Sequence, residues 1–312
     1  MKPDLSVIIP AYNEEAIALN TVAKLDEYFA GQPMSVEALF VDDGSHDRTA
    51  ELLVGASMTH ATKRVVRLSR NFGSHAAIRA GFRYATADKA ALYFMDMVES
   101  PEILGEFYQK LCEGYGVVAS QRIGYKPSMG SRIYSWLQKK FICPDYPEDG
   151  ISTFALNERA KCVLNENAES DSSVFLQIYT IGFRKCLIPS RLQDNGARVS
   201  RWTLRKKITL LVDSFCSFSH TPIHVVSGVG CAFALCGILY AMVIIVIRLF
   251  GFADMALGFP MLISVLLVGF GITNIALGVI AEYLVRVLDA SRRRPAFIVD
   301  RIVGNDGKDE AV

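Results

Sequence analysis

The chain has 312 residues, and its 33 lysines and arginines nearly balance 32 aspartates and glutamates, leaving a formal net charge of +1. That length allows about two domains, and the even balance excludes a protein that grips nucleic acid through bulk positive charge. Hydrophobic residues make up 51% of the chain, and the excess lies after residue 222, where a soluble core does not account for it.

Residues 5–10 are a β-rich apolar run closed by Pro10. Lys2 is the only cation before it, which does not read as a secretory signal. The stretch Ala11-Tyr12-Asn13-Glu14-Glu15 follows as a loop, then a helix over 16–29. A second apolar run, 36–41, reads as a buried strand and stops abruptly at Asp42-Asp43-Gly44-Ser45. A helix starts at 47–49 and runs through 51–57, with Ser45, Asp47 or Thr49 as its N-cap. In an open α/β sheet, ligands sit at the carboxyl ends of the strands. Two acids at such an end suit the polar edge of a base and ribose, or a metal; the plainer reading is a tight Asp-Gly turn.

A third strand covers 64–68, with Ser69-Arg70-Asn71-Phe72-Gly73 as a loop after it. The helix over 75–84 carries Ala76, Ala77, Ala80 and Gly81, small residues that permit close packing. Strand 90–95 stops at Asp96, helix 101–113 has Pro101 in its first turn, and strand 117–119 closes the series. Strands and helices that alternate in this way build a mostly parallel sheet covered on both faces.

Beyond Arg122 the pattern changes. An amphipathic helix over 129–141 carries Arg132, Lys139 and Lys140, and an acidic loop follows at 144–150. A strand over 151–156, helices over 158–165 and 172–181, and a strand over 185–189 complete this part. Residues 198–207 are strongly basic around Trp202, and 204–218 have helical apolar spacing. That combination suits a helix lying on an anionic membrane surface, with an ordinary surface helix as the plainer alternative. Residues 225–247 and 258–281 contain no charged side chain. Each run is long enough to span ~30 Å of hydrocarbon at ~1.5 Å per residue. Arg201, Arg205, Lys206 and Lys207 precede the pair, Arg286, Arg292, Arg293 and Arg294 follow it, and only Arg248 lies between. The positive-inside rule then puts both chain ends in the cytoplasm, on the inner (plasma) membrane. The expected division is a cytosolic domain over 1–198, a surface helix over 199–222, a transmembrane hairpin over 223–288 and a cytosolic tail over 289–312, polar and loose after Asp300. Small residues at Gly230/Ala234 and Gly269/Thr273 would let such helices pack closely, within a chain or in a homo-oligomer. The seven cysteines show no Cys-x-x-Cys spacing and read as reduced packing residues.

The motifs Ser6-Val-Ile-Ile-Pro-Ala-Tyr-Asn-Glu-Glu15, Val41-Asp-Asp-Gly-Ser45 with Asp47 and Thr49, and Leu68-Ser-Arg-Asn-Phe-Gly73 form an ordered set. Ser200-Arg201-Trp202-Thr203, Asp213-Ser214-Phe215, Glu282-Tyr283 and Arg294-Pro295 extend it. Together they resemble the family 2 glycosyltransferases, in the branch of membrane-anchored polyprenyl-phosphate glycosyltransferases that includes dolichyl-phosphate mannose synthases and bactoprenol glucosyltransferases. The resemblance implies a GT-A, Rossmann-like α/β domain followed by an interfacial helix and two transmembrane helices. It implies inverting transfer of a sugar from a UDP- or GDP-linked donor to a polyprenyl phosphate, with Mg²⁺ or Mn²⁺ as cofactor. Pro10, Tyr12, Glu14, Asp42 and Asp43 would bind the donor; Asp96 with Glu99 would hold the metal. Arg122, Arg132, Ser135 and Arg201 would meet the acceptor phosphate.

The sequence departs from the family at three places. The usual Asp-x-Asp and Leu-Gln-Asp-Pro-Pro-Glu run reads Phe94-Met95-Asp96-Met97-Val98-Glu99-Ser100-Pro101-Glu102, so Phe94 replaces the first acid. Thr153 stands where the family often has an acid, leaving Asp149 as the nearest upstream carboxylate and candidate base, or a solvated loop acid beside Glu148. Arg198-Val199-Ser200-Arg201 replaces Gly-x-Ser-Lys/Arg. Two rival readings follow: a degenerate relative that binds nucleotide sugar or lipid without turnover, and a lipid translocator built from the two spans.

Overall fold

The computed structural model describes residues 2–96, 99–123, 139, 146–147, 150–167, 173–191, 258–292, 295–305 and 309–310, with single helical positions between 226 and 246. Residues 1–207 together with 295–312 form one compact unit, and 208–294 form a second. The first unit is an α/β domain. Its elements are β1 (Leu5–Ala11), α1 (Ala18–Ala30), β2 (Val36–Asp42), α2 (Thr49–Gly55), β3 (Thr62–Leu68), α3 (Ser74–Tyr84), β4 (Lys89–Leu92), α4 (Glu102–Cys112) and β5 (Val117–Arg122). After them come β6 (Ile151–Leu156), α5 (Glu158–Glu166), α6 (Val174–Thr180), β7 (Lys185–Ser190), β8 (Val299–Val303) and β9 (Asp309–Glu310).

These strands form a nine-stranded sheet in the order β7-β5-β6-β4-β1-β2-β3-β8-β9. The four central strands, β4, β1, β2 and β3, are parallel, while antiparallel pairings come at the flanks. β2 is buried along its whole length and β1 nearly so, as strands covered on both faces must be. One apolar layer joins β1 and β2 side chains such as Leu5, Val7 and Phe40 to α1 and α4 through Leu25, Phe29, Leu104 and Phe107. The opposite layer joins Ile8, Leu39 and Val41 to α3 through Ala77, Ile78 and Phe82. Gly81 makes that second packing possible, because a Cβ there would lie 2.1 Å from the Ile8 Cγ2.

The far end of the chain corrects one expectation. The segment expected to be a loose tail instead supplies β8, antiparallel to β3, and β9 beside it. Ile302 and Val303 are buried there, and Arg64 of β3 pairs with Glu310 at 2.6 Å and with the buried Glu37 at 2.8 Å. β-branched residues facing an open sheet edge make a strand, even in a polar context. β4 is shorter than expected and ends at Leu92, with residues 95 and 96 in a turn.

The second unit contains α7 (Gly258–Arg292), 35 residues long, on which Leu266, Phe270, Ile275, Leu277 and Val287 are exposed. Counted over the described side chains alone, no helix is long and apolar enough to cross a membrane. The expected amphipathic helices over 129–141 and 204–218 and the first uncharged run lie largely outside the described residues.

Candidate functional site

Three loops meet at the carboxyl ends of β1, β2 and β3. The loop after β1 is sewn to the loop after β2 by reciprocal bonds. The Asn13 N–H donates to Ser45 Oγ at 3.0 Å, and the His46 N–H donates to Asn13 Oδ1 at 3.0 Å. The Glu14 N–H donates to Thr49 Oγ1 at 2.8 Å, and the Arg48 N–H donates to Glu15 Oε2 at 3.1 Å. Asn13 adopts a left-handed φ of 51°, which an Asn tolerates better than most residues. The Ser45, Asp47 and Thr49 read from sequence as cap candidates therefore serve mainly to hold the first loop, although Asp47 Oδ1 also accepts the Thr49 N–H at 2.9 Å.

The loop after β3 is fixed by Asp43. Its carboxylate accepts the Phe72 N–H at 2.7 Å and the Gly73 N–H at 2.9 Å, while its own N–H donates to the Ala11 carbonyl at 2.9 Å. Gly44 allows this closure. It sits at φ 64°, and a Cβ on it would lie 2.4 Å from the Arg70 carbonyl carbon. Asp42 is fully buried, accepts the Ser45 N–H at 3.3 Å and has the Arg67 guanidinium 3.6 Å away. Burial pushes both carboxyls above the usual carboxylate range, against the opposing pull of their hydrogen bonds and, for Asp42, of Arg67. Both acids are thus bound mainly to the loops around them, Asp42 at 0% and Asp43 at 3% exposure.

The strand order reverses between β1 and β4, the kind of switch point beside which open α/β sheets form a ligand crevice. Ile8 accepts the Tyr93 N–H at 2.9 Å, the last bond between the two strands. Two residues on, the Pro10 nitrogen faces the same side, where β4 has already ended. A proline suits that place because no donor is needed. Ligands of open α/β sheets bind outside the carboxyl ends at this kind of switch point. Pro10 and Tyr12 are half-buried on one bank, and the half-buried side chain of Glu14 lies in the same loop.

On the other bank lies the turn after β4. Thr21 Oγ1 donates to the Met95 carbonyl at 2.8 Å, and the Tyr93 hydroxyl donates to the Glu99 carbonyl at 2.5 Å. Asp96 is half-buried in this turn. Glu99 is 3% exposed; its Oε2 accepts from Thr153 Oγ1, and its Oε1 is buried without a hydrogen-bond partner. The Thr153 N–H donates to Ser120 Oγ at 2.9 Å, so the Glu99 carboxylate is tied into β5 and β6. Neither Ser120 nor Thr153 was singled out as its partner from sequence, although both are polar interruptions in apolar strands. Phe94 packs in the α3-side layer with Phe72, while Tyr93 and Met95 pack in the opposite layer. Arg122, the last residue of β5, donates from Nε to Ser152 Oγ at 2.7 Å. Arg132, Ser135, Asp149 and Arg201 lie outside the described residues. Among the described residues no three His, Cys, Asp or Glu side chains gather as a metal cluster.

A mostly parallel sheet with paired acids at the end of β2 and a proline beside its switch point is a GT-A-like α/β domain. The chain belongs to glycosyl transferase family 2, whose model matches residues 6–161. It is 30% identical over 310 residues to the uncharacterized glycosyltransferase YkcC of Bacillus subtilis, covering 97% of this chain and 95% of that one. It is 31% identical over 316 residues to the undecaprenyl-phosphate 4-deoxy-4-formamido-L-arabinose transferase of Pseudomonas paraeruginosa, covering 97% of this chain and 92% of that one. Mannosyl-3-phosphoglycerate synthase from Rubrobacter xylanophilus superposes with a TM-score of 0.49 at 12% identity, over 68% of this chain and 72% of that one.

Proposed function

We propose that this protein transfers a sugar from a UDP- or GDP-linked donor to a polyprenyl phosphate at the cytoplasmic face of a membrane. The observation that carries the reading is similarity over 97% of the chain to a transferase named for undecaprenyl phosphate. That similarity extends past the α/β domain through the uncharged runs 225–247 and 258–281, which a soluble nucleotide enzyme would not need. Those runs are read as a two-helix transmembrane hairpin preceded by a surface helix, with both chain ends cytoplasmic and the chain free to form a homo-oligomer.

In the reaction, an acceptor phosphate oxygen attacks the anomeric carbon and forms the new C–O bond. The bond from that carbon to the donor diphosphate breaks on the opposite face, with inversion, and the nucleoside diphosphate leaves. A phosphate oxygen is already anionic at neutral pH, so a strong base is not required; Asp149 is the candidate where one is used. Pro10, Tyr12, Glu14, Asp42 and Asp43 hold the base and ribose in the crevice. Arg122, Arg132, Ser135 and Arg201 receive the acceptor phosphate, which suits the bidentate geometry of arginine.

Mg²⁺ or Mn²⁺ fits the residues present. The buried Glu99 Oε1 lacks a hydrogen-bond partner, and a hard cation takes one or two carboxylates plus phosphate oxygens and water. Asp96 and Glu99 would hold it, and it would offset charge on the leaving diphosphate. Phe94 in place of the first acid favours one second reading, a relative that binds donor without turnover. The test is to incubate the full chain in detergent with labelled UDP- and GDP-sugars, polyprenyl phosphate and Mg²⁺ or Mn²⁺. Label moving into the lipid phase is the expected result. Donor binding without any transfer would favour the second reading.

A further inference from the structure

A second cleft opens in the α/β domain, away from the crevice. It has a volume of about 230 Å³ and lies between the end of α3, α5 and the segment 295–297. Ten residues of helix separate Gly73, at the donor loops, from Arg83 in this cleft, or about 15 Å at the usual rise. Arg79 and Arg83, one turn apart on α3, both line it. Arg79 is 3% exposed and Arg83 is exposed, so the positive charge runs from the floor to the mouth.

The remaining walls are mixed. Tyr84 and Phe297 meet edge to face at 6.5 Å, and Leu164 adds an aliphatic wall. The Asn165 side-chain amide also lines the cleft; it donates to the Phe82 carbonyl at 3.1 Å, which fixes its orientation. No acidic side chain is among the described residues that line the cleft. The positive field is felt one turn back: burial first, and then the Arg79 charge, push the His75 imidazole down to about 4. At neutral pH His75 is therefore uncharged, and among the described residues lining the cleft the cations are Arg79 and Arg83.

We infer that this cleft binds a phosphate-bearing anion, with the headgroup of an anionic membrane lipid as the occupant the surroundings favour. Two guanidiniums one turn apart match phosphate oxygens in charge and in donor geometry. Tyr84, Phe297 and Leu164 offer apolar surface for the glycerol and first methylenes of such a lipid. Chain order supports the lipid source as well. Pro295 directly follows Arg292-Arg293-Arg294, and these follow an uncharged run that is long enough to span a bilayer. Free inorganic phosphate shares the recognised chemistry but would not use the apolar wall.

The lipid source rests on the membrane-hairpin reading above, but the test needs neither donor nor turnover, so its failure is distinguishable from failure of the proposed reaction. The full chain in a neutral detergent is titrated by calorimetry with dihexanoyl phosphatidylglycerol, dihexanoyl phosphatidylcholine and inorganic phosphate. Saturable binding of phosphatidylglycerol, with none of phosphatidylcholine, is expected. Arg83→Gln, at an exposed position, should weaken it about tenfold, the effect of losing one charge-assisted hydrogen bond. Phe297→Ala should weaken the lipid while leaving inorganic phosphate unchanged. Inorganic phosphate binding as tightly as the lipid, and equally sensitive to Arg83→Gln, would keep the anion site but assign it to free phosphate. Binding of neither anion, or binding that Arg83→Gln leaves unchanged in a normally folded protein, would overturn the proposal.

Discussion

Gly44→Ala tests whether the three-loop closure carries the site. The backbone there is at φ 64°, and the new methyl would lie 2.4 Å from the Arg70 carbonyl carbon and 2.7 Å from its Cα. A left-handed alanine costs about 1–2 kcal/mol. The clash is with main chain rather than a flexible side chain, and forced overpacking of this kind adds about 1–3 kcal/mol. The sum, about 2–5 kcal/mol, would lower the melting temperature by roughly 5–15 °C in a domain of this size. The loop over 69–73 must also retreat, which pulls the Phe72 and Gly73 amides from Asp43 and weakens donor binding. Gly55→Ala is the control, because nothing lies within 4 Å of its Cβ position. Thermal unfolding and nucleotide titration of both variants give the answer. A Gly44→Ala protein that melts and binds like the parent would refute the closure as described.

Other outcomes follow from the same geometry. Asp96→Asn should keep metal-free nucleotide binding and abolish metal-stimulated transfer, and unchanged turnover would remove Asp96 from the metal site. Phe94→Asp should lower the Mg²⁺ or Mn²⁺ concentration needed for half-maximal transfer; a variant that merely unfolds would show that Phe94 serves the core instead. Arg64→Ala removes the guanidinium paired with the buried Glu37, leaving that carboxylate its bonds from Ser6 Oγ and the Thr86 N–H, and should cost about 3 kcal/mol in denaturant unfolding. Glu310→Ala, whose carboxylate is 39% exposed, should cost under about 1 kcal/mol. Equal costs would contradict the assignment of the buried half of that network. Asp42 titrates above its ordinary 3.8 when folded, so the folded state keeps this proton to higher pH than the unfolded chain. Its contribution to stability is full below 3.8 and is lost as pH rises through the raised folded value. Asp42→Asn should therefore flatten the fall of stability with pH above 3.8, and an unchanged profile would remove the effect.

Much of the central sheet was legible because buried parallel strands are nearly continuous apolar runs, as 5–10 and 36–41 are. Asp42-Asp43-Gly44 was legible as a strand end because charge and glycine follow β-rich residues without a transition. The return of β8 to β3 was not, since its partner lies more than 230 residues earlier and its own run is short and interrupted by Asp300 and Arg301. Contacts of that range depend on the finished sheet edge, not on local propensity. The bond from Thr153 to Glu99 was hidden for the same reason: β6 is brought beside the turn after β4 only by antiparallel pairing with β4 and β5.

The central claim is tested most directly by the fate of the donor when the lipid acceptor is supplied or withheld. The full chain in detergent is mixed with the nucleotide sugar that binds best and with Mg²⁺ or Mn²⁺. Nucleoside diphosphate release and the mass of the extracted lipid are followed together. The account predicts release only when polyprenyl phosphate is present, with one sugar gained by the lipid phosphate for each nucleoside diphosphate set free. Release at the same rate without the lipid, or a lipid of unchanged mass, would contradict it.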